Sequence, residues 1–180
     1  TSGRPKKDVQ VQITDSAGLP LGPGLAGEIW VRGFNVMQGY LDDPAATRQA
    51  ITPEGWLKTG DIGIQDEHGY LRITDRIKDM YICGGFNCYP AEIENSLLEH
   101  PDIADVAVLG APDERLGEVG YAFIVAREGA KPDPAELIAW CRGQIANFKA
   151  PRHISFIETL PRNASGKVQK YLLKQQMEVS

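Results

Sequence analysis

Residues 80–100 read MYICGGFNCYPAEIENSLLEH and carry the clearest fold signal in the chain. Met80–Cys83 is a short apolar run of the kind that forms a strand, and the two glycines after it are suited to a turn. Pro90 is placed to open a helix, because the first turn of a helix does not need its missing N–H. Ile93 and Leu97 lie four residues apart and give this helix one apolar face. The stretch therefore predicts a strand, a glycine turn and an amphipathic helix in succession.

The residues after this stretch continue the alternation of strands and helices. Val106–Leu109 and Val119–Ala126 are nearly continuous apolar runs, which predicts strands in the centre of a sheet. Asp133–Glu136 is similar to a capping box and predicts the start of a second helix. His153–Ile157 predicts a last strand, and Lys170–Met177 predicts a last helix. This half of the chain is expected to be a short sheet flanked by helices.

The residues before the stretch are rich in strand signals. Val9–Ile13 alternates apolar and polar side chains, and Gly27–Gly33 predicts a second strand. Ile62–Ile64 and Tyr70–Ile73 flank a polar turn and predict a hairpin. Pro44–Ile51, preceded by a capping aspartate, predicts a short helix. We therefore expect an α+β protein with two small lobes, one over residues 1–75 and one over residues 76–180.

Composition and charge exclude several classes of protein. The chain has 180 residues, of which 42% are apolar, as in ordinary globular proteins. The formal charge of −5 provides no excess of positive charge with which to bind nucleic acid or an anionic membrane. No apolar run approaches the ~18–20 residues of a transmembrane helix. The three cysteines are sparse and odd in number, which predicts reduced thiols and a cytoplasmic location.

Three polar segments could carry chemistry, although each also has a plain structural interpretation. Thr59–Asp61 reads as a turn before a strand, but its aspartate could accept hydrogen bonds from ribose hydroxyls. Asp75–Asp79 is expected to be a solvated loop between the lobes. Gly84-Gly85 is either a simple turn or a place where a long, thin ligand can approach the backbone.

A further polar segment near the C-terminus, Pro161–Lys167, ends in a lysine that follows a turn-type glycine. It resembles a phosphate-binding P-loop only superficially. The first glycine of that motif is missing, and Val168 stands where a serine or threonine would bind magnesium. We therefore reject the P-loop interpretation, and the sequence predicts no metal site.

The order and spacing of these segments resemble the successive signature motifs of the adenylate-forming (AMP-binding) superfamily. Within it, the chain is similar to the C-terminal third of an acyl-CoA synthetase, or fatty-acid–CoA ligase. The resemblance extends over nearly all of the chain from Val9 onward. It is carried by five ordered segments: Gly27–Tyr40, Trp56–Asp61, Asp75–Asp79, Gly84–Glu94 and Pro161–Lys167.

The resemblance implies three nucleotide-binding residues. Asp61 matches the aspartate that holds the ribose hydroxyls of ATP and of the acyl-adenylate. Arg76 matches an arginine that also reaches the ribose, and Asn87 matches a position whose side chain approaches AMP in some relatives. The chain departs from the family at Asp75, where many members have glycine, and we expect a small local effect.

The resemblance also implies roles in catalysis, domain motion and CoA binding. Lys167 matches the catalytic lysine that contacts the substrate carboxylate and the nucleotide during adenylation. Lys78 matches the hinge about which the small C-terminal domain rotates. Gly84 and Gly85 match the glycines that line the pantetheine tunnel for CoA.

At the level of the whole protein, the resemblance implies a ligase that activates a carboxylic acid, expected to be a fatty acid, with ATP and transfers it to CoA. Residues 1–75 would be a barrel-like subdomain at the end of a large N-terminal domain, and residues 76–180 the mobile C-terminal domain. The remainder of the large domain would hold the acyl pocket and most ligands of Mg²⁺. Because the chain begins at Thr1 without methionine, we expect an excised piece that is inactive alone.

The sequence is compatible with several alternatives. The relatives include enzymes that load a carrier protein instead of CoA, and a stand-alone, non-catalytic α+β binding module is the non-enzyme alternative. Cys83 could be a nucleophile, although it has no evident partner base and a buried thiol is expected. Apolar surface on the first lobe is expected to contact its missing neighbour or a second copy of the chain. Fatty, aromatic and steroid-derived acids are not distinguished, because the acyl pocket lies outside this sequence.

Overall fold

The structure, a computed structural model, describes residues 2–177 and divides the chain into two compact units. The units are Thr1–Lys78 and Asp79–Ser180. Both contain strands and helices, which confirms the predicted α+β class. None of the helices within residues 2–177 is long and apolar enough to cross a membrane.

The first unit is built on an antiparallel sheet with the strand order β1-β2-β3-β4. Ile13, Ile29 and Ile62 are buried on it. Helix α1 starts where the sequence predicts, because the Asp43 carboxylate accepts a hydrogen bond from the Ala46 N–H at 2.8 Å. The elements of this unit are β1 (Val9–Thr14), β2 (Ala26–Gly33), α1 (Pro44–Ala50), β3 (Leu57–Gln65) and β4 (Leu71–Arg76).

The second unit is built on a mixed sheet with the strand order β6-β5-β8-β7, in which β9 pairs parallel to β8. The predicted helix at Lys170–Met177 is confirmed with the same bounds. The three-residue strand β6 was not predicted. The elements are β5 (Tyr81–Cys83), β6 (Phe86–Cys88), α2 (Pro90–Leu98), β7 (Ile103–Asp113), β8 (Gly117–Ala126), α3 (Pro134–Gln144), β9 (His153–Phe156) and α4 (Lys170–Met177).

Strand β7 corrects one expectation, because it ends the hydrogen-bonded order of the sheet instead of lying at its centre. Its sequence is nonetheless apolar because both of its faces are covered. Val106 and Val108 belong to the core cluster that includes residues of α2 and α3, whereas Ala107 and Leu109 belong to a second cluster with residues of α4. The continuous apolar run therefore indicates that both faces of β7 are buried, and not that the strand lies at the centre of the sheet.

Candidate functional site

Asp61 and Arg76 form the best-defined pair of predicted site residues. They are directly opposite each other in the register of β3 and β4. The Arg76 Nε–H donates to Asp61 Oδ1 at 3.0 Å. The arginine side chain is 62% exposed and the aspartate side chain 26% exposed. The structure therefore brings together the two residues predicted to hold the ribose, and leaves the arginine accessible to a ligand.

A bulge inside β3, and not a turn before it, places Asp61 at this position. The register of β2 and β3 shifts between Glu28 and Trp30, so Thr59–Asp61 lie opposite Ile29. Gly60 has a φ of +73°, which glycine adopts without strain. The prediction of a turn was wrong for a physical reason: turn-type residues also form bulges, and bulges re-aim side chains within a strand.

Two side chains whose structural roles were not predicted hold this bulge in place. The Thr59 hydroxyl donates to the Ile29 carbonyl at 2.7 Å and accepts the Asp61 N–H at 3.1 Å. The half-buried Glu28 accepts the Gly60 N–H with Oε1 at 3.1 Å and the Trp30 Nε1–H with Oε2 at 2.8 Å. The sequence feature that could have pointed to Glu28 is its position within the Gly27–Tyr40 segment, one of the five that carry the family resemblance.

Asp75, the position at which the sequence departs from the expected glycine, lies beside this pair. Its carboxylate accepts the Arg76 N–H at 2.7 Å, and the residue is 9% exposed. The register of β3 and β4 shifts between Ile62 and Gly63, so this part of β4 is also irregular. Asp75 therefore contributes to the local backbone geometry from which the Arg76 side chain extends.

Lys78 lies at the end of the first unit, in a 3-10 turn formed by Ile77–Asp79. Its side chain is exposed. A short turn between two compact units is the kind of segment that absorbs the backbone rotation of a hinge. The hinge role of Lys78 stays a prediction.

Gly84 and Gly85 form the two-residue turn between β5 and β6, where Cys83 pairs with Phe86. Both glycines have positive φ, +58° and +86°, as in a type I′ hairpin turn. A Cβ atom on Gly85 would meet nothing within 4 Å, so backbone conformation and not crowding favours glycine there. The turn is exposed and presents bare backbone, as a site for a narrow ligand requires.

Asn87 and Cys88 are neighbours on β6, and the structure gives them different environments. Asn87 is exposed and pairs with Ile82, whereas Cys88 is fully buried. Burial is the main cause that raises the pKa of the Cys88 thiol to about 11. Cys83 is 2% exposed and belongs to the same core cluster, which argues against the nucleophile hypothesis.

Lys167 lies on a tight hairpin after β9 and before α4. The Asn163 N–H donates to the Lys167 carbonyl at 2.9 Å, and the Lys167 N–H donates to Asn163 Oδ1 at 2.9 Å. Gly166 has a φ of +82°, and its N–H donates to the Asn163 carbonyl. The backbone of the hairpin is thus fixed while the Lys167 side chain is exposed.

The hairpin is also tied to β7. Arg162 donates from one terminal nitrogen to Asp105 Oδ2 at 2.6 Å and from the other to the Gly166 carbonyl at 2.7 Å. Just after the hairpin, Lys170 at the start of α4 pairs with Glu94 of α2 at 3.1 Å. Neither ion pair was predicted, because their partners lie far apart in the sequence and no local pattern joins them.

Within residues 2–177, no three His, Cys, Asp or Glu side chains form a group that could hold a metal ion. The described residues therefore do not fit a resident Mg²⁺ site. The predicted site residues fall into two groups, with Asp61, Arg76 and Lys78 in the first unit. The others, Gly84, Gly85, Asn87 and Lys167, belong to the second unit.

Sequence comparison finds a matching family and many relatives. The profile of the AMP-binding enzyme C-terminal domain matches residues 92–167. A 3-[(3aS,4S,7aS)-7a-methyl-1,5-dioxo-octahydro-1H-inden-4-yl]propanoyl:CoA ligase of Mycobacterium tuberculosis is 55% identical over 97% of this chain and 32% of the relative. A feruloyl-CoA synthase of Amycolatopsis is 43% identical over 94% of this chain and 34% of the relative. The chain thus spans about a third of the length of these curated relatives.

Comparison with solved structures agrees with the sequence match. The ATP-bound MatB from Rhodopseudomonas palustris has a TM-score of 0.92 and 39% identity, over 98% of this chain and 35% of that chain. The amide bond synthetase McbA from Marinactinospora thermotolerans has a TM-score of 0.89 and 40% identity, over 97% of this chain and 35% of that chain. These matches extend over both units.

Proposed function

Because this chain belongs to the adenylate-forming (AMP-binding) family, whose C-terminal domain is matched by residues 92–167, we propose that it is part of an ATP-dependent acid–thiol ligase. The complete enzyme converts a carboxylic acid to an acyl-adenylate and transfers the acyl group to CoA. The observation that carries the proposal is the Asp61–Arg76 pair, an exposed arginine held opposite a half-buried carboxylate by a strand bulge. The 55% identity to a CoA ligase over 97% of the chain supports the same reaction class.

In the first half-reaction, an anionic carboxylate attacks the α-phosphate of ATP, and pyrophosphate leaves. Two anions approach each other in this step, so a cation between them lowers the barrier. We assign this role to Lys167, whose long side chain extends from a fixed hairpin. Asp61 accepts hydrogen bonds from the ribose hydroxyls, and Arg76 donates to the ribose from the exposed side of the pair. Asn87 is assigned to the AMP moiety.

In the second half-reaction, the CoA thiol attacks the acyl carbonyl and AMP leaves. The thiol arrives on a narrow pantetheine arm, which we assign to the exposed backbone of Gly84 and Gly85. Because Lys167 serves one step and the glycine turn serves the other, the second unit has to reorient between them, and Lys78 is the proposed hinge. This scheme uses each predicted site residue in one defined role.

The finer parts of the proposal concern partners and location. We propose a small carboxylic acid, ATP and CoA as the substrates, with Mg²⁺ bound by residues outside the described part of this chain. Nothing within residues 2–177 or in the comparisons supports pairing of two copies of the chain. A cytoplasmic location is consistent with the three free, buried cysteines.

A second candidate function differs only in the group that accepts the acyl-adenylate. The family that this chain resembles includes enzymes that load a carrier protein, and McbA, an amide bond synthetase, is 40% identical to this chain. A carrier thiol or an amine would then replace CoA in the second step. The first half-reaction and the roles of Asp61, Arg76 and Lys167 would be unchanged.

The test uses the longer protein that contains this chain, supplied with ATP, Mg²⁺ and a panel of acids. The panel includes a fatty acid, ferulic acid and (7a-methyl-1,5-dioxo-octahydroinden-4-yl)propanoic acid. We expect acid-dependent release of pyrophosphate and, after addition of CoA, AMP and an acyl-CoA. A product only with an amine or a carrier phosphopantetheine would favour the second candidate. No acid-dependent pyrophosphate release with any acid would contradict the proposal. Acyl-CoA formation by the 180-residue chain alone would contradict the expectation that this piece is inactive by itself.

A further inference from the structure

Arg162 and Asp105 form an ion pair that joins the Lys167 hairpin to the sheet of the second unit. The Arg162 guanidinium donates to Asp105 Oδ2 at 2.6 Å and, from its other terminal nitrogen, to the Gly166 carbonyl at 2.7 Å. One planar group therefore contacts both strand β7 and the residue that precedes Lys167. Only arginine has the forked donor geometry that allows both contacts at once.

Asp105 is itself held in a defined orientation. The register of β7 and β8 shifts between Ile103 and Asp105, which places a bulge at Ala104. The Asp105 Oδ1 accepts the Val106 N–H at 3.0 Å, so Oδ2 remains for Arg162. Bulges re-aim side chains at the point where a strand contacts another element. The carboxylate is therefore fixed before it contacts the hairpin.

The exposure of the pair argues that stability is not its main contribution. The Arg162 side chain is 43% exposed and the Asp105 side chain 34% exposed. Ion pairs in such positions contribute little to the free energy of unfolding, because water screens them and the side chains lose entropy. The pair restricts where the hairpin lies on the sheet, and with it the backbone from which Lys167 extends.

We propose that Asp105 and Arg162 are positioning residues for Lys167 in the adenylation half-reaction. This inference rests on the proposed function, because it assumes that Lys167 acts on the carboxylate and the phosphate. Neither residue is assigned a contact with substrate. Small displacements of a catalytic group are costly, since a shift of about 1 Å can reduce a rate by about a hundredfold.

The test compares Arg162→Met, Arg162→Lys and Asp105→Asn in the longer protein, with Arg127→Met as the matched control. Arg127 is an exposed arginine near the end of β8, in the same unit. We expect Arg162→Met and Asp105→Asn to reduce kcat for pyrophosphate release by about tenfold to a hundredfold. Thioester formation from supplied acyl-adenylate should stay within about twofold, because Lys167 is not used there. Arg162→Lys should restore part of the rate, since lysine keeps the charge but not both contacts.

A second readout separates this inference from the proposed function. Hydrogen exchange of the peptide that covers residues 161–168 should be faster in Arg162→Met than in the native protein, while peptides of α2 and α3 should be unchanged. If the two residues act as one unit, the double variant Asp105→Asn/Arg162→Met should release pyrophosphate no more slowly than either single variant.

Pyrophosphate release within about twofold of native in Arg162→Met, or equal losses in both half-reactions, would overturn the positioning role. Unchanged exchange in residues 161–168 would overturn it as well. If the native protein adenylates no acid, the proposed function fails, and the exchange measurement alone then decides whether the pair orders the hairpin.

Discussion

The Asp61–Arg76 pair and the Lys167 hairpin present charged groups in contrasting ways. In the first unit, the two charges neutralise each other across neighbouring strands, and Asp61 is 26% exposed. In the second unit, the backbone is fixed by Asn163 and Arg162, while the lysine side chain is exposed. The Asp61–Arg76 pair suits a ligand group that stays bound in the same place throughout the reaction. The Lys167 hairpin suits a reacting group that is contacted in only one step. The contrast is the structural basis for assigning them to different parts of one reaction.

The largest effect is expected from Lys167→Ala in the longer protein. Removal of one group that stabilises transition-state charge typically reduces kcat by about 10²–10³-fold, so pyrophosphate release should fall by that factor. Thioester formation from supplied acyl-adenylate should change little. Lys174→Ala, an exposed lysine on α4, is the matched control. Equal loss in both half-reactions would contradict the role assigned to Lys167.

A smaller effect is expected from Lys78→Pro, which fixes φ in the turn between the units. It should slow thioester formation about tenfold more than adenylation, because the proposed rotation takes place between the two half-reactions and thioester formation depends on it. Lys78→Ala removes the same charge without fixing φ, and it therefore separates the charge from the backbone restriction. Measurement of both half-reactions in each variant checks this. Equal effects on the two half-reactions would count against the hinge.

Glu28→Gln tests the rigidity of the first unit's site. Gly60 and Trp30 donate to different oxygens of Glu28, and glutamine replaces one of those oxygens with an NH₂ donor, so it cannot accept both hydrogen bonds in this geometry. We expect the free energy of unfolding to fall by about 1–3 kcal/mol and KM for ATP to rise severalfold, because the Asp61 bulge loosens. Urea unfolding and initial rates measure the two effects, with the exposed Glu67→Gln as control. An unchanged KM would show that Glu28 does not position Asp61.

The smallest effect is expected from the buried thiols beside the glycine turn. Because burial raises the pKa of Cys88 to about 11 from its ordinary value near 9, the folded state keeps a proton that the unfolded state releases. Stability should therefore be complete below about pH 9 and decline between pH 9 and 11. Burial also raises the pKa of Tyr81, which acts in the same direction. Measurement of the free energy of unfolding of the native protein and of Cys88→Ala across this pH range isolates the contribution of Cys88. The free energy should fall more steeply with pH in the native protein than in the variant.

Local patterns were sufficient to predict most of the helices and strands. Pro90 and the apolar spacing of Ile93 and Leu97 predicted α2, and the polar segment ending in Lys167 predicted an exposed turn. These features depend on neighbours a few residues away, which the sequence displays directly. The resemblance then connected them to roles in the reaction.

Features that depend on distant pairing were not predictable in the same way. The bulge at Gly60 arises from the register between β2 and β3, and Thr59 contacts Ile29, which is 30 residues away. The ion pair of Arg162 and Asp105 joins residues 57 positions apart. A sequence displays the residue types at such positions but not the register that brings them together.

A direct comparison of Asp61→Ala with Lys167→Ala tests the assignment of the two regions to different parts of the reaction. Both variants of the longer protein are assayed for the rate of each half-reaction. We predict that Asp61→Ala slows both half-reactions by about tenfold to a hundredfold, because the ribose is bound in both. Lys167→Ala should slow adenylation alone. If the two variants show the same ratio of half-reaction rates, the division of roles between the strand pair and the hairpin is wrong.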